Sequence, residues 1–268
     1  MIDLGKYNVL GVQIDAVDYA GAVERIVAGA KARQPFSVSA LAVHGLMTGV
    51  LDPAHRHRLN RFDLLAPDGQ AVRWSLNGLY RTRLPDRVYG PNLMLRLCER
   101  AAEEGLPIFL YGGTADLLDA LATNLLKRFP ALLIAGTLPS RFRQLTAEEQ
   151  DEVAAAIRSS GAAMTFVGLG CPRQEVWVYE MREALGMPLV AVGAAFAFHA
   201  GRLSQAPPYL QKCGLEWLYR LAQEPSRLWR RYLFLNPLYL TLLFLQSVGL
   251  YKPDPAGAPA PTEAIRHG

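Results

Sequence analysis

The chain has 268 residues, 51% of them hydrophobic and 19% charged, a composition that excludes a disordered polypeptide and suits one large or two small domains with a well-buried core. The formal net charge is +4, which favours anionic partners such as phosphates, nucleotides or an anionic membrane without choosing among them.

Taken in chain order, strands are predicted over 7–12, 36–43, 62–66, 108–111, 132–136, 164–167 and 189–192. Amphipathic helices are predicted between them, over 19–33, 70–77, 92–104, 115–128, 146–159 and 172–185. This alternation points to an α/β fold with a mostly parallel sheet. In such sheets ligands bind beyond the carboxyl ends of the strands. The loops expected there are Pro67-Asp68-Gly69, Gly112-Gly113-Thr114, Gly168-Leu169-Gly170-Cys171-Pro172 and Gly193-Ala194-Ala195. Glycine admits close backbone approach to a ligand, and a helix N-terminus offers free N–H groups to phosphate. Each loop alone also fits an ordinary tight turn; several on one sheet edge favour a nucleotide site. None is a GxGxxG or Walker loop, which counts against a nicotinamide-dependent oxidoreductase.

Cys98, Cys171 and Cys213 stand far apart, with no CxxC pair and no zinc spacing, so reduced thiols in the cytosol are expected. The first 12 residues lack the basic start and apolar run of a secretory signal. The composition changes after about residue 200. Residues 215–232 mix aromatic side chains with arginines, and 233–251 are apolar but broken by Asn236, Pro237 and Gln246. A spanning helix needs about 20 apolar residues, so an interfacial or re-entrant segment is expected, with a buried helix or a contact between copies as the alternative. Arg220, Arg227 and Arg231 share one helical face if Pro225 does not reset it. Such a face suits lipid headgroups or a diphosphate. The division expected is a core over 1–203, an arginine-rich appendage over 204–251 and a disordered tail over 252–268.

Several segments together carry a resemblance. They are Ala66-Pro67-Asp68-Gly69-Gln70, Arg87-Val88-Tyr89-Gly90-Pro91, IFLYGGT at 108–114, VGLGCPRQE at 167–175, AVGAAFAFHAG at 191–201, Gln205-Ala206-Pro207 and LEWLYRLAQEPSRLWRR at 215–231. In this order the sequence resembles the WecG/TagA/CpsF glycosyltransferases (glycosyltransferase family 26), over roughly residues 8–232. The resemblance implies a Rossmann-like, mostly parallel sheet with helices on both faces and a C-terminal helical appendage that docks on the membrane. It implies inverting transfer from a UDP-sugar donor to an undecaprenyl-diphosphate-linked saccharide, at the cytoplasmic face of the plasma membrane. Neither a cofactor nor nucleic acid is implied, and the known chemistry needs no metal; the sequence has no DxD pair.

Carried onto this chain, the resemblance makes Asp68 the catalytic base. It makes Gly112, Gly113, Gly168, Gly170, Arg173 and Gln174 substrate-binding residues, with Glu175 orienting the loop. Arg220, Arg227 and Arg231 would clamp the leaving diphosphate. There are two departures. His44, in Ala42-Val43-His44-Gly45, stands where many members have asparagine, and either assists proton transfer or is structural. Ala197, in Phe196-Ala197-Phe198-His199, replaces a frequent aspartate and leaves His199 as a sugar contact. These histidines are similar to those of exopolysaccharide glucosyltransferase members. A member that lost catalysis and acts as a binding or scaffold subunit is the alternative.

Overall fold

The computed structural model describes the backbone of all 268 residues and every side chain except those of Arg227 and Arg231. The chain opens with an antiparallel hairpin, β1 (Asp3–Val9) and β2 (Val12–Val17). The single strand predicted over 7–12 is therefore two strands. Leu10 (φ 55°) and Gly11 (φ 90°) turn the chain between them, the pair of positive φ values that a two-residue hairpin loop requires.

The main sheet has six strands in the order β4-β3-β8-β7-β5-β6, every adjacent pair parallel. They are β3 (Phe36–Leu41), β4 (Leu64–Pro67), β5 (Ile108–Tyr111), β6 (Ile134–Leu138), β7 (Met164–Val167) and β8 (Pro188–Ala191). β4, β5, β7 and β8 are buried throughout, as expected of parallel strands covered on both faces. Their side chains alternate between two cores. Leu64, Ala66, Ile108, Leu110, Phe166 and Val190 face α1 (Tyr19–Ala32), α5 (Gly90–Glu104) and α6 (Ala115–Arg128). Leu65, Phe109, Tyr111, Val167 and Leu189 face the other core. It is filled by the hairpin, α2 (Val43–Leu51), α4 (Gln70–Tyr80), α7 (Ala147–Ser159) and α8 (Arg173–Leu185).

The helix starts follow side-chain chemistry. Asp18 caps α1 through Gly21 N–H, and Thr114 caps α6. Thr146 and Glu149 form a reciprocal capping box on α7. Gly105 and Gly186 close α5 and α8 in the left-handed conformation. Among the helices not expected from the sequence are α2 and α3 (Pro53–Leu59). The strand predicted to run to residue 43 ends at Leu41, and Val43 already belongs to α2.

Beyond α9 (Ala195–His199) the chain forms short helices α10 (Pro208–Lys212), α11 (Glu216–Gln223) and α12 (Pro225–Arg230), a π-helical turn (Arg231–Leu235), and α13 (Asn236–Ser247). Two side chains of α13 join it to the core. The Tyr239 hydroxyl meets Ser75 Oγ and donates to Ala71 O at 3.2 Å. Gln246 Oε1 accepts Leu10 N–H at 2.9 Å while its Nε2 donates to Asn8 O at 2.8 Å. Residues 252–268, expected to be disordered, run back over the core. Asn8 donates to Pro253 O, Asn60 to Pro255 O, and the Glu180 carboxylate accepts the N–H groups of Ile265 and Arg266. Among the described residues no helix is long and apolar enough to cross a membrane.

Candidate active site

The carboxyl ends of β3, β4, β7 and β8 open into a cavity of about 1000 Å³. Asp68 stands directly after β4. Its N–H donates to Leu41 O at 3.2 Å, and the next chain segment is tied to the same strand end by Val88 N–H donating to Pro67 O. The Asp68 carboxylate therefore has a fixed backbone beneath it. Its Oδ1 accepts Gly90 N–H at 2.6 Å. Gly90 lies close to β3: a Cβ there would stand 3.1 Å from the Cβ of Ala40, a tight contact.

Burial pushes the Asp68 carboxyl up to about 6. The Arg87 charge, the Gly90 N–H and the Arg220 charge act in the opposite direction, and Glu216 adds to the rise. A carboxylate poised near neutrality on a cavity wall can accept a proton from a bound hydroxyl.

Facing it is a polar relay from α8 and β3. Glu175 is 1% exposed, and burial raises its pKa. Its Oε1 accepts from Ser39 Oγ at 2.9 Å and from Gln174 Nε2 at 2.8 Å. Because the Gln174 amide nitrogen is spent on Glu175, the amide oxygen is turned away from it. That oxygen is buried, has no hydrogen-bond partner, and belongs to a residue that lines the cavity. It is an acceptor that a ligand N–H or O–H can satisfy.

The remaining wall comes from the appendage. Glu216 and Arg220, one turn apart on α11, both line the cavity, with Trp217, Trp229 and Tyr232 beside them. Arg87, 6% exposed, donates from Nη2 to Glu216 Oε2 at 2.5 Å and lies over the Tyr89 ring at 4.1 Å. The Tyr89 hydroxyl donates to Glu216 Oε1 at 2.9 Å. Among the described residues there is no group of three or more His, Cys, Asp or Glu side chains arranged to hold a metal.

The sequence pattern of the glycosyl transferase WecG/TagA/CpsF family matches residues 7–253, nearly the whole chain. The chain belongs to that family. The matched span takes in the sheet, the cavity and the appendage of this glycosyltransferase, so the cavity sits within the region that defines the family.

Of the residues expected at the site, the transferase brings Asp68, His44, Gly170, Arg173, Gln174 and Arg220 to the cavity. His44 is in the first turn of α2, where its carbonyl accepts from Thr48 Oγ1 at 2.9 Å, and not at a strand end. Gly112, Gly113, Gly168 and His199 are elsewhere. A Cβ on Gly112 (φ 115°) would fall 2.7 Å from the Gly168 carbonyl carbon, and one on Gly168 would fall 2.5 Å from the Phe196 ring. These glycines let the β5 and β7 loops and α9 pack closely. His199 borders a separate, smaller pocket beside Asn124 and Arg128, and its Nε2 bonds Pro91 O at 2.9 Å. The side chains of Arg227 and Arg231 lie outside the described residues.

Arg87, Tyr89 and Glu216 received no role from the sequence, although both segments carrying them contributed to the resemblance. The Arg87–Glu216 ion pair joins residues 129 positions apart. No local pattern reveals such a pairing, and in 215–231 Glu216 is one charged side chain among several.

Proposed function

We propose that the chain is an inverting glycosyltransferase that moves the sugar of a UDP-sugar onto a polyprenyl-diphosphate-linked saccharide in cell-surface or exopolysaccharide synthesis. The observation that carries this reading is the Asp68 carboxylate. It lies at the carboxyl end of β4, the edge strand of the parallel sheet, holds a proton affinity near neutrality, and shares its cavity with Arg173 and Arg220. Oδ1 is occupied by Gly90 N–H, which leaves Oδ2 for the acceptor hydroxyl proton. As that proton moves to Asp68, the acceptor oxygen forms its bond to the anomeric carbon. The bond from that carbon to the β-phosphate oxygen breaks, and UDP leaves with the electron pair. Arg220 and Arg173 stabilise the charge that grows on the diphosphate. The Gln174 amide oxygen takes a hydroxyl or N–H of the donor.

The lipid-linked acceptor accounts for the apolar outside of the appendage. Leu233, Phe234, Leu240, Phe244 and Leu250 are each more than half exposed, a cluster suited to the hydrocarbon edge of a membrane at its cytoplasmic face. Peripheral attachment there would bring the cavity mouth to the acceptor.

The experiment is UDP release by the full-length chain in detergent or lipid, with a panel of UDP-sugars and an extract of polyprenyl-diphosphate-linked saccharides, beside Asp68→Asn. Acceptor-dependent release with one donor, lost in the variant, is expected. UDP binding without turnover on any donor would leave a binding subunit instead.

A further inference from the structure

The face of α4 that meets the cavity is formed by Gln70, Ala71 and Trp74. Val72 and Leu76 of the same helix are fully buried in the core. The core does not use Trp74 in this way: it is 46% exposed, although it is the largest side chain of the helix. Its ring is nevertheless seated at one edge. Gly214 (φ 72°), between α10 and α11, lies so close that a Cβ on it would stand 2.5 Å from the ring carbon Cη2. An indole held at its edge and half open in a cavity wall is an apolar surface that water covers poorly and a flat apolar ligand face covers well.

Its place in the cavity shows which end of the reaction it serves. Trp74 is one turn beyond Gln70, about 6 Å along the helix axis. Asp68 stands two residues before Gln70, at the end of β4. Arg173 and Gln174, to which the donor is assigned, follow β7. β3 and β8 lie between those strands, so the ends of β4 and β7 are about 14 Å apart. Trp74 is thus on the Asp68 side of the cavity, remote from the donor residues. The hydroxyl that gives up its proton must lie on that side. The flank of the ring is polar: Asp68 and Gln70 both line the cavity, and the Gln70 amide is held by Arg73 Nε donating to Oε1 at 2.9 Å. A pyranose has the matching chemistry, with hydroxyls at its rim and C–H bonds on its faces that can lie on an aromatic ring. A hydrocarbon chain would gain nothing from the polar flank.

We propose that Trp74 is an acceptor-binding residue, the platform on which the acceptor's terminal sugar ring stacks while its hydroxyl reaches Asp68. This rests on Asp68 being the base of a glycosyl transfer. The stack fixes the plane of the sugar and leaves its rotation in that plane to the hydroxyl contacts at Asp68 and Gln70. The ring it suits is a hexopyranose with a face of axial C–H bonds, as in the gluco and galacto series.

Two readouts on the full-length chain test this. The first is saturation-transfer NMR with UDP present and the methyl β-glycosides of glucose, galactose and N-acetylglucosamine as probes, each at millimolar concentration. In the wild type, saturation passes to the C–H protons of one face of at least one probe. It is lost in Trp74→Ala and Trp74→Leu and kept in Trp74→Phe, because a flat ring is required and bulk alone does not serve. The second readout is KM for the lipid-linked acceptor in the transfer assay. It rises about tenfold in Trp74→Ala and by no more than about threefold in Trp74→Phe, with KM for the donor unchanged. The rise is the same for long-chain and short-chain acceptors. Gly214→Ala carries the test if Trp74→Ala does not fold: its methyl group presses the ring edge from its seat and weakens the same probe signals. Saturation transfer that survives Trp74→Ala, or that reaches no probe in the wild type, overturns the proposal. So does a wild-type acceptor KM in Trp74→Leu, or a KM effect confined to the long-chain acceptor; either would give the ring to hydrocarbon. The transferase reading fails separately: probe binding that depends on Trp74, with no UDP release from any donor in the wild type, would keep the platform and refute the transfer.

Discussion

Gly90 gives its N–H to Asp68 Oδ1 at 2.6 Å, and that bond fixes which carboxylate oxygen remains for chemistry. It also ties the end of β4 to the start of α5, so the carboxylate proposed as the base is held from both sides by backbone. Substituting Asp68→Asn keeps an acceptor for Gly90 and removes the base. Transfer should fall by about 10²–10⁴, the usual contribution of a general base, while UDP binding by equilibrium dialysis changes little. The same variant should be more stable at neutral pH. The folded state raises the Asp68 pKa to about 6 from 3.8, so it holds the proton more tightly than the unfolded chain. Stability is therefore lost as pH rises from the lower value to the upper, and a neutral amide escapes that loss. The expected gain is about 1–3 kcal/mol above pH 6, read as a higher melting temperature, with no gain below pH 4.

The pH dependence of kcat/KM follows from the same carboxyl. The base must be ionised in the free enzyme, so activity should rise tenfold per pH unit below the Asp68 pKa and level off above about 6. Steady-state rates from pH 4.5 to 8 with saturating acceptor would measure it. A limb near 4 would mean that water reaches Asp68 freely and that its burial has no catalytic consequence.

The sheet was legible because its strands are short apolar runs separated by amphipathic stretches, as at 108–111 and 164–167, where predicted and observed bounds coincide. The hairpin was not, because Leu10 is an apolar residue at positive φ and gives no turn signal. α2 was missed because Ala42, its N-cap, offers no side-chain cap. The motifs beside the strand ends also led to Asp68 and Gln174, and both line the cavity. Gly112 and Gly168 share the same glycine-rich character, yet their lack of side chains serves loop packing. Composition does not distinguish a glycine that admits a ligand from one that admits a neighbouring loop.

Gln174 supplies a second test at the cavity. Its amide nitrogen is held by Glu175, which Ser39 holds in turn, and its buried oxygen is left without a partner in a residue that lines the cavity. Gln174→Ala removes the acceptor and should raise KM for the donor by about tenfold, the value of one hydrogen bond lost to a buried site. Ser39→Ala leaves the acceptor but loosens the relay, and should cost about 1 kcal/mol of stability with a smaller effect on KM. Equal KM values in wild type and Gln174→Ala would remove this oxygen from substrate recognition.

Gly168 separates packing from binding. A methyl group there would meet the Phe196 ring at 2.5 Å, inside β-loop and helix packing and away from the cavity wall. Gly168→Ala should therefore destabilise the chain by about 1–3 kcal/mol in a denaturant melt. The fraction that remains folded should bind UDP with wild-type affinity. A selective loss of UDP affinity in a stably folded variant would return this glycine to the nucleotide site.

The membrane attachment proposed for the appendage would run through α13. Leu240, at the rim of the cavity, and Phe244 lie one turn apart, exposed by 61% and 64%, while Tyr239 is buried against Ser75 and Ala71. The helix thus divides between a face that the core holds and a face that the core leaves bare. Burying two such side chains in the interfacial region is worth about 3 kcal/mol together, a factor above 100 in partition. The double variant Leu240→Ser/Phe244→Ser should fold normally, since neither side chain is buried by the core. It should lose sedimentation with vesicles of phosphatidylglycerol and phosphatidylethanolamine, and lose transfer to a long-chain polyprenyl acceptor more than to a short water-soluble one. Unchanged sedimentation would place the lipid contact elsewhere on the appendage, whereas a shift from dimer to monomer in light scattering would assign this face to a second copy of the chain.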